Sequence, residues 1–386
     1  MLARLRQRTP VAWVPALGGW LVTSYAAAVA VMRDSRVFTV EDPRFSTARV
    51  VGPSMLSLDG GAHARHRAPF FSAFHRGGAA ARLGEYAERE AARLVAAIRP
   101  DGAAELRDTV TGPLAVSVVA KALGLEHLAP EKILSAYARI AGGVTGLSGD
   151  QSAANGAPGP DAMAAFAALA AELAAAIENG NGAGRPGAGR TRSAPDSRTV
   201  LADAAQSGDL TTGEAISDAA VVMFGGIDTT DGMMANAVLH LLSDLGQLEL
   251  VRVDPRLVLA AIEESLRLEP AAALLDRYAT RDGAIGGAEI KAGDRVSISL
   301  AAANRDPAVF RDPDRFDIFR SNAGRHLAFA HGPHFCIGAT LARAETHAAL
   351  DALLALPRLC LDPARPAAPR GLIFRRPPAL HVTWDP

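Results

Sequence analysis

The residues best suited to chemistry lie near the C-terminal end of the chain, around one of its two cysteines. Cys336 stands between Gly332 and Gly338, and these glycines permit tight backbone turns on both sides of it. After Gly338 the apolar residues recur at helical spacing, so Cys336 is predicted to lie where a loop meets a helix N-terminus. Free backbone N–H groups and the positive end of the helix dipole stabilise a thiolate there. Such a thiolate can act as a nucleophile or as a metal ligand.

A second group of residues interrupts the most apolar helical pattern of the chain, a long helix predicted for residues 217–242. In its middle stand Gly225, Gly226, Asp228 and Thr229. Residues of these types cost up to about 1 kcal/mol each relative to alanine inside a helix. A sequence that accepts this cost needs a gap and polar groups at that point. The alternative interpretation is a helix kink with a satisfied, buried threonine hydroxyl.

Two further pairs of residues have helical spacing. His63 and Arg67 are four positions apart, so on a helix they share one face and could grip a pair of carboxylates. The alternative is a solvated basic helix face. Glu264 and Arg267 are three positions apart and could form an ion pair, a pattern that is common in helices and has little meaning alone.

The cysteine stretch resembles the haem-binding loop of the cytochromes P-450, whose pattern is Phe-Gly-x-Gly-x-His-x-Cys-x-Gly. The matching residues are Phe329, Gly332, His334, Cys336 and Gly338. Ala330 replaces the first glycine of the pattern, a departure of one methyl group. A lone cysteine is otherwise more often a buried, inert thiol, and Cys360, in the short apolar run Leu359-Cys360-Leu361, fits that alternative.

The resemblance assigns roles to the other stretches, which follow in the family's order. Cys336 would be the axial ligand of the haem iron. Gly225 and Gly226 would open a groove for dioxygen, while Thr229 would hydrogen-bond the bound oxygen and Asp228 would relay protons. The residues implied in binding the haem are His63, Arg67, Gly225, Arg277, Phe329, His334, Cys336 and Gly338, of which His63, Arg67, Arg277 and His334 would hold the propionates.

The resemblance also implies a structural network and a substrate pocket. Glu264, Arg267 and Arg315 would form a buried network that supports haem incorporation and has no catalytic role. The residues expected to line the pocket are Val221, Phe224, Ala273, Leu274 and Ile373.

Composition limits the partners and the compartment of the protein. The chain has 386 residues, of which 49% are hydrophobic, and a formal net charge of -1, so its charge does not point to nucleic acid as a partner. Two cysteines give no disulfide framework and fit a reducing, cytoplasmic compartment. The uncharged run 11–32 has the length of a bilayer span, but Pro15, Gly18 and Gly19 interrupt it, so no membrane anchor is expected.

The predicted fold is mostly α with small β sheets, which the resemblance makes the cytochrome P-450 fold, as a single domain over residues 1–386. Short strands are predicted within 278–300, with a hairpin turn at Gly286-Gly287, and within 371–384. The segment 179–198 is rich in Gly, Arg, Pro and Ser and has no periodic apolar face, so we expect a flexible connector there.

The function implied by the resemblance is that of a haem-thiolate monooxygenase with haem b (iron protoporphyrin IX). It would use dioxygen to hydroxylate a small apolar molecule, by analogy a secondary metabolite. Because the chain lacks nicotinamide and flavin motifs, ferredoxin and ferredoxin reductase are the expected electron donors, and the expected state is a monomer. Within the same chemistry the alternatives are epoxidation, desaturation and oxidative coupling. An alternative of another class is a non-enzymatic haem-binding sensor or carrier, which would not need the Asp228-Thr229 pair.

Overall fold

Helices dominate the computed structural model, which describes residues 2–75, 79–149, 158–181 and 199–386. The α-helices are α1 (Leu2–Arg8), α2 (Tyr25–Arg33), α3 (Ser46–Val51), α4 (Gly60–His75), α5 (Ala79–Ile98), α6 (Gly112–Leu123), α7 (Pro130–Gly149), α8 (Pro160–Asn181), α9 (Val200–Ala205), α10 (Thr212–Gly226), α11 (Asp228–Ser243), α12 (Leu245–Val253), α13 (Leu257–Leu268), α14 (Leu300–Ala303) and α15 (Ala339–Leu354). The β-strands are β1 (Val11–Val14), β2 (Gly19–Val22), β3 (Phe38–Thr39), β4 (Ala103–Glu105), β5 (Leu274–Ala279), β6 (Gly283–Ile285), β7 (Ala288–Ile290), β8 (Arg295–Ser299), β9 (Cys360–Leu361) and β10 (His381–Thr383).

The chain divides into two compact units. The sheet unit comprises Met1–Thr39, Tyr86–Ala115 and Asp228–Pro386. The helical unit comprises Val40–Glu85 and Val116–Ile227. The chain passes from one unit to the other at four points: between Thr39 and Val40, within α5, within α6, and between α10 and α11.

The sheet unit is organised by a five-stranded sheet with the strand order β1-β2-β8-β5-β3. Strands β2 and β8 run parallel, and the other neighbours are antiparallel. One face of this sheet buries an apolar cluster with α2, in which Val31 and Met32 pack with Val296 and Ile298. The run 11–32 therefore forms β1, β2 and α2 of this sheet and core, as its interruptions predict.

Two smaller sheets complete the sheet unit. Strands β6 and β7 form the predicted hairpin, and Gly286 and Gly287 at its turn have φ of 55° and 84°, the left-handed conformation that a type I′ turn requires. The second small sheet has the order β4-β10-β9. Within the predicted strand 371–384 only β10 is regular, and Phe374 makes an isolated bridge to Ala272.

The helical unit buries apolar residues of its successive helices against one another. Leu123 of α6, Ile140 of α7 and Leu173 of α8 are at most 1% exposed. Helix α10 begins with a capping box, in which the Thr211 side chain accepts from the Glu214 N–H and the Glu214 side chain accepts from the Thr211 N–H. This cap explains why the helix begins earlier than the predicted residue 217.

The long helix predicted for 217–242 is in fact two helices, α10 and α11, separated at Ile227. Ile227 has φ of -90° and ψ of -74°, outside ideal helical values, and its N–H still bonds to the Met223 carbonyl. The interruption falls at the glycine and Asp-Thr residues whose helix propensity is poor. The sequence located the disruption, but not that it ends one helix and begins another.

Helix α8 covers the first residues of the predicted connector 179–198, of which 182–198 lie outside the described residues. Within the described part of the chain, Pro160–Gly180 is the one helical segment long and apolar enough to cross a bilayer. By length and composition alone that is a weak indication, since core helices pass the same test.

Candidate active site

The cysteine loop lies between two short helical elements of the sheet unit. A 3-10 turn over Gly332–His334 precedes Cys336, and α15 begins three residues after it with Gly338 as N-cap. The Cys336 N–H donates to the Phe329 carbonyl over 2.9 Å, which closes the loop. The Cys336 side chain is exposed, and the loop therefore presents a thiol near a helix N-terminus, as the sequence predicts.

The loop packs tightly onto α2. At Gly332, where φ is 75°, a Cβ would stand 2.6 Å from the Met32 carbonyl oxygen and 3.1 Å from the Arg33 Cα, so only glycine fits. Ala330, which replaces a glycine of the motif, also has a positive φ, 60°. This conformation costs a non-glycine residue about 1–2 kcal/mol. Packing of Ala330 against the apolar cluster of the sheet offsets part of that cost.

A charged group holds the Phe329 ring of this loop. The Arg343 guanidinium of α15 lies 4.5 Å from the ring centroid, and the Glu263 carboxylate of α13 pairs with it, with Nη2 3.0 Å from Oε2. His326 Nε2 lies 3.2 Å from the same carboxylate. Burial alone would raise the pKa of Glu263, but its hydrogen bonds with His326 and Arg343 outweigh burial and lower that pKa to about 2. Glu263 therefore remains ionised at neutral pH.

The predicted buried network exists, with one member different. Arg267 donates to Glu264 through Nε and Nη2 over 2.7 and 2.8 Å, and both side chains are fully buried. The third side chain is Arg320, whose Nε lies 3.0 Å from each Glu264 carboxylate oxygen. The prediction of Arg315 is wrong, because that residue contributes only its carbonyl oxygen, which accepts from Arg267 over 3.0 Å, while its side chain is exposed.

The acidic residue at the start of α11 is ion-paired. Asp228 Oδ1 lies 2.7 Å from Arg376 Nη2, and Arg376 Nη1 also donates to the Asp228 carbonyl over 3.1 Å. One turn later, Asp231 accepts from Arg107 Nε and Nη2 over 3.0 and 2.6 Å and from the Thr111 hydroxyl over 2.6 Å. Two carboxylates and two guanidinium groups thus balance one another at this end of α11.

The two glycines that precede Asp228 have different surroundings within the helical unit. A Cβ on Gly225 would meet no heavy atom within 4 Å. A Cβ on Gly226 would stand 2.4 Å from Val119 Cγ2 of α6. Gly225 therefore borders open space, as a groove requires, whereas Gly226 permits close helix packing. The expectation that Gly226 also opens the groove stays a prediction, which this packing does not support.

The residues expected to hold propionates are divided between the units. Arg277 is buried on β5, where its Nη1 donates to the Asp276 carbonyl over 2.7 Å, and His334 ends the turn before Cys336. His63 is buried on α4 of the helical unit, with Arg67 half-buried one turn later. The predicted helical spacing of His63 and Arg67 is therefore present.

The expected pocket residues also form two groups. In the sheet unit, the Ala273 N–H donates to the Ile373 carbonyl over 2.7 Å, and Leu274 follows as the first residue of β5. In the helical unit, Val221 and Phe224 lie on α10, and the Phe224 ring packs edge-on against Tyr137 with centroids 5.4 Å apart.

Comparison with known proteins decides the family. Residues 254–370 match the sequence model of the Cytochrome P450 family. Cytochrome P450 monooxygenase PikC of Streptomyces venezuelae is 32% identical, over 99% of this chain and 90% of its own length. Nocardicin C N-oxygenase of Nocardia uniformis subsp. tsuyamanensis is 31% identical, over 95% of this chain and 89% of its own length.

The chain belongs to the cytochrome P450 family. Putative cytochrome P450 140 of Mycobacterium tuberculosis is 47% identical over 154 residues, a match that spans 39% of this chain and only 35% of that relative. Among solved structures, P450BioI in complex with hexadec-9Z-enoic acid ligated acyl carrier protein superposes with a TM-score of 0.86 at 28% identity, over 100% of this chain and 97% of that one. The predicted P450 fold, mostly α with small sheets, is confirmed.

P450 proteins carry a haem whose iron is bound by a cysteine thiolate. The residues of this loop fit such a group, because Cys336 is exposed and a Cβ on neighbouring Gly338 would meet no heavy atom within 4 Å. The expectation that Cys360 is buried is wrong: it is exposed on β9, and its Sγ lies 3.2 Å from the Thr383 hydroxyl. Among the described residues no group of three or more His, Cys, Asp and Glu side chains offers a separate metal site.

Besides Arg320, sequence reasoning missed three arginines around this P450 site, Arg107, Arg343 and Arg376. Arg107 and Arg376 lie 124 and 148 residues from the aspartates with which they pair, so no local pattern connects them. Arg343 had a weak local signal, since it is a charged residue in the apolar helix that follows the cysteine. Its partner Glu263 was overlooked because the adjacent Glu264 is the residue that matches the Glu-x-x-Arg pattern.

Proposed function

We propose that this chain is a haem-thiolate monooxygenase that uses dioxygen to hydroxylate a small apolar molecule. The observation that carries the proposal is the exposed Cys336 thiol, held in a closed loop at the N-terminus of α15. Haem b bound there would supply oxygen activation favoured by thiolate donation. The remaining tasks fall to side chains of the protein.

Asp228 and Thr229 are proposed to manage the protons of the reaction. Both lie at the start of α11, directly after the interruption at Ile227, where the break in the helix leaves polar groups at an otherwise apolar position. The Thr229 hydroxyl would hold the bound dioxygen by a hydrogen bond, and Asp228 would deliver protons by general acid chemistry. The Arg376 ion pair fixes the Asp228 carboxylate in one position, so proton delivery requires that this pair loosen.

His63, Arg67, Arg277 and His334 are proposed to bind the two propionates. Each side chain can donate to a carboxylate, and each charge-assisted bond contributes on the order of 1.5–3 kcal/mol. Val221, Phe224, Ala273, Leu274 and Ile373 are proposed to line the substrate pocket, which their apolar character suits. Glu264, Arg267 and Arg320 are proposed to stabilise the fold that would take up the haem.

The proposed substrate is a small secondary metabolite, and the proposed electron source is a separate pair of redox proteins. The relative named Nocardicin C N-oxygenase supports a secondary metabolite as substrate. Ferredoxin and ferredoxin reductase are proposed to supply electrons to a monomeric, cytoplasmic enzyme that is one P450 domain. Epoxidation, desaturation and oxidative coupling remain alternatives with the same residues. A haem carrier is less favoured, since a carrier has no need of the ion-paired Asp228 beside Thr229.

The deciding experiment is a spectrum of the purified protein loaded with haem, reduced and exposed to carbon monoxide. Thiolate ligation shifts the Soret band to the red. We expect this shifted band in the wild type and its loss in Cys336→His. Cys360→Ser is the matched control, because it removes the other exposed cysteine and should keep the band. Survival of the band in Cys336→His would show that Cys336 is not the ligand.

A further inference from the structure

The cluster around Phe329 connects three elements that the haem-binding motif does not connect. Arg343 is on α15, Glu263 is on α13, and His326 follows a 3-10 turn over Ala323–Arg325. The Arg343 and His326 side chains lie beside the Phe329 ring, which is 9% exposed, and the Glu263 carboxylate bonds to Arg343. The Arg343 and Glu263 side chains are 31% and 23% exposed, so their charges act on the ring at short range with partial screening by solvent.

Arg343 is fixed more rigidly than a surface arginine. Its Nε and Nη2 both bond to Glu263, and its Nη1 donates to the Ala339 carbonyl over 3.3 Å. With these bonds made, the guanidinium stands 4.5 Å from the Phe329 ring centroid, well inside the range of cation–π attraction. Movement of the ring away from the guanidinium would therefore lose this attraction.

The ring is coupled to the cysteine through the backbone. The Phe329 carbonyl accepts the Cys336 N–H over 2.9 Å, and the Phe329 ring also lies near Phe335, with centroids 6.4 Å apart. Ala330, directly after Phe329, holds a left-handed conformation that alanine disfavours. A loop with such strain relaxes unless its neighbours hold it, and Arg343 is the neighbour whose guanidinium lies over the Phe329 ring, beside His326 and Phe335.

We propose that Arg343 is a positioning residue for the cysteine loop: anchored by Glu263, it clamps the Phe329 ring and thereby the backbone that carries Cys336. The inference rests on the proposed function, since it concerns the ligand that Cys336 provides. The contact of the Arg343–Glu263 pair with Phe329 should affect the electrostatic potential at the loop as well as its geometry. The pair places a cation against the ring and an anion behind it, so removal of either partner changes the electrostatic potential at the loop in an opposite sense.

The test compares Arg343→Gln, Glu263→Gln and Arg343→Lys, each loaded with haem, by reductive titration with dithionite. Loss of the cation should move the reduction potential to more negative values in Arg343→Gln, whereas loss of the anion should move it to more positive values in Glu263→Gln. Arg343→Lys keeps the charge but loses the bidentate pair and the planar stacking, so its potential should stay near that of the wild type.

The second readout is the rate at which the reduced carbon monoxide complex loses its red-shifted band during mild warming. All three variants should lose the band faster than the wild type, by about tenfold, which corresponds to about 1.4 kcal/mol. Arg325→Gln is the matched control, because Arg325 carries the same charge and lies over the Tyr25 ring, 5.9 Å from its centroid, instead of Phe329. It should change neither the potential nor the rate.

Potentials that do not move, or that move in the same direction in both glutamine variants, would overturn the proposal. So would band loss in Arg343→Lys no faster than in Arg325→Gln, a comparison that decides the matter even if Arg343→Gln does not take up haem. Failure of the proposed function is separate, because the wild type itself would then lack the red-shifted band.

Discussion

Single residues in this protein separate roles that one motif had combined. Gly225 and Gly226 are adjacent, yet one borders open space and the other packs against Val119 at a distance that excludes even a methyl group. The arginine that completes the Glu264 network was likewise assigned to the wrong residue by comparison with the motif. Arg320 occupies the place expected for Arg315: its Nε lies 3.0 Å from each Glu264 oxygen, whereas Arg315 contributes only its carbonyl oxygen.

Alanine substitution at the two glycines should therefore give opposite changes in stability. Gly226→Ala forces Val119 to move and should lower the free energy of unfolding by about 1–3 kcal/mol. Gly225→Ala meets no atom and should raise it by up to about 1 kcal/mol through helix propensity. Urea unfolding of both variants measures the difference. Equal effects at the two positions would contradict the distinction.

Replacement of the polar pair of α11 should separate oxygen consumption from product formation. Thr229→Ala should still bind haem and consume oxygen, but release more hydrogen peroxide and less product, because protons are no longer directed to the correct oxygen atom. Asp228→Asn should instead slow oxygen consumption, because proton delivery falls. Oxygen uptake, peroxide and product are measured together, with Thr230→Ala as the neighbouring control. Full coupling in Thr229→Ala would leave Thr230 or the substrate as the hydrogen-bond donor.

At the scale of elements, a buried pair joins α4 to α10. His66 Nδ1 lies 2.9 Å from Asp218 Oδ2, and the Met55 N–H donates to Asp218 Oδ1 over 2.6 Å. Glu214 and Arg65 are the other charged groups near this pair, with Glu214 Oε1 3.5 Å and Arg65 Nη2 3.1 Å from His66 Nε2. Burial raises the pKa of Asp218 to about 6, against the lowering by the Met55 N–H and by His66. Helix α4 also carries His63 and Arg67, so the His66–Asp218 pair helps to hold in place the helix that is proposed to bind propionates.

The raised pKa of Asp218 predicts a pH dependence of stability. The folded state holds the proton more tightly than the unfolded state, so the stabilising contribution is complete below about pH 4 and is lost as pH rises through about 6. Asp218→Asn removes the ionisation. Relative to the wild type, its free energy of unfolding should gain about 1 kcal/mol between pH 5 and 7. Urea unfolding across this range measures it, with the exposed Asp209→Asn as control; parallel curves for Asp218→Asn and wild type would disprove the effect.

Elements were predictable from the sequence where the signal was local. Helices α2, α5 and α15, the hairpin of β6 and β7, and the loop around Cys336 follow from periodicity, glycines and the motif. The division of α10 from α11 did not follow, since the same poor helix formers fit a kinked helix equally well. The contact of Arg343 with Phe329 depends on the packing of α13 against α15. That packing joins residues distant in sequence, so no local pattern predicts it.

At the scale of the whole molecule, helix α8 covers residues 179–181 of the predicted connector 179–198, and the rest of it stays a predicted connector. A surface loop of this composition costs little entropy to shorten. Deletion of residues 184–195 should therefore leave haem content and turnover nearly unchanged, as measured by absorbance and product formation. Deletion of an equal length within α8 is the destabilising comparison. A large loss of activity on connector deletion would show that the segment contributes to substrate binding.

The order of the central sheet has a consequence for synthesis of the chain. Trp20 of β2 pairs in parallel with Val296 of β8, so β2 remains without this neighbour until about 280 more residues have been made. At a translation rate of 5–20 residues per second, this interval is roughly 15–55 s. During it the β1–β2 hairpin exposes an unpaired strand edge and the apolar face that α2 later shares with β8. The nascent chain is therefore most vulnerable to aggregation before residue 300 emerges. A lower growth temperature, or a chaperone that shields the first 33 residues, should increase the yield of folded protein.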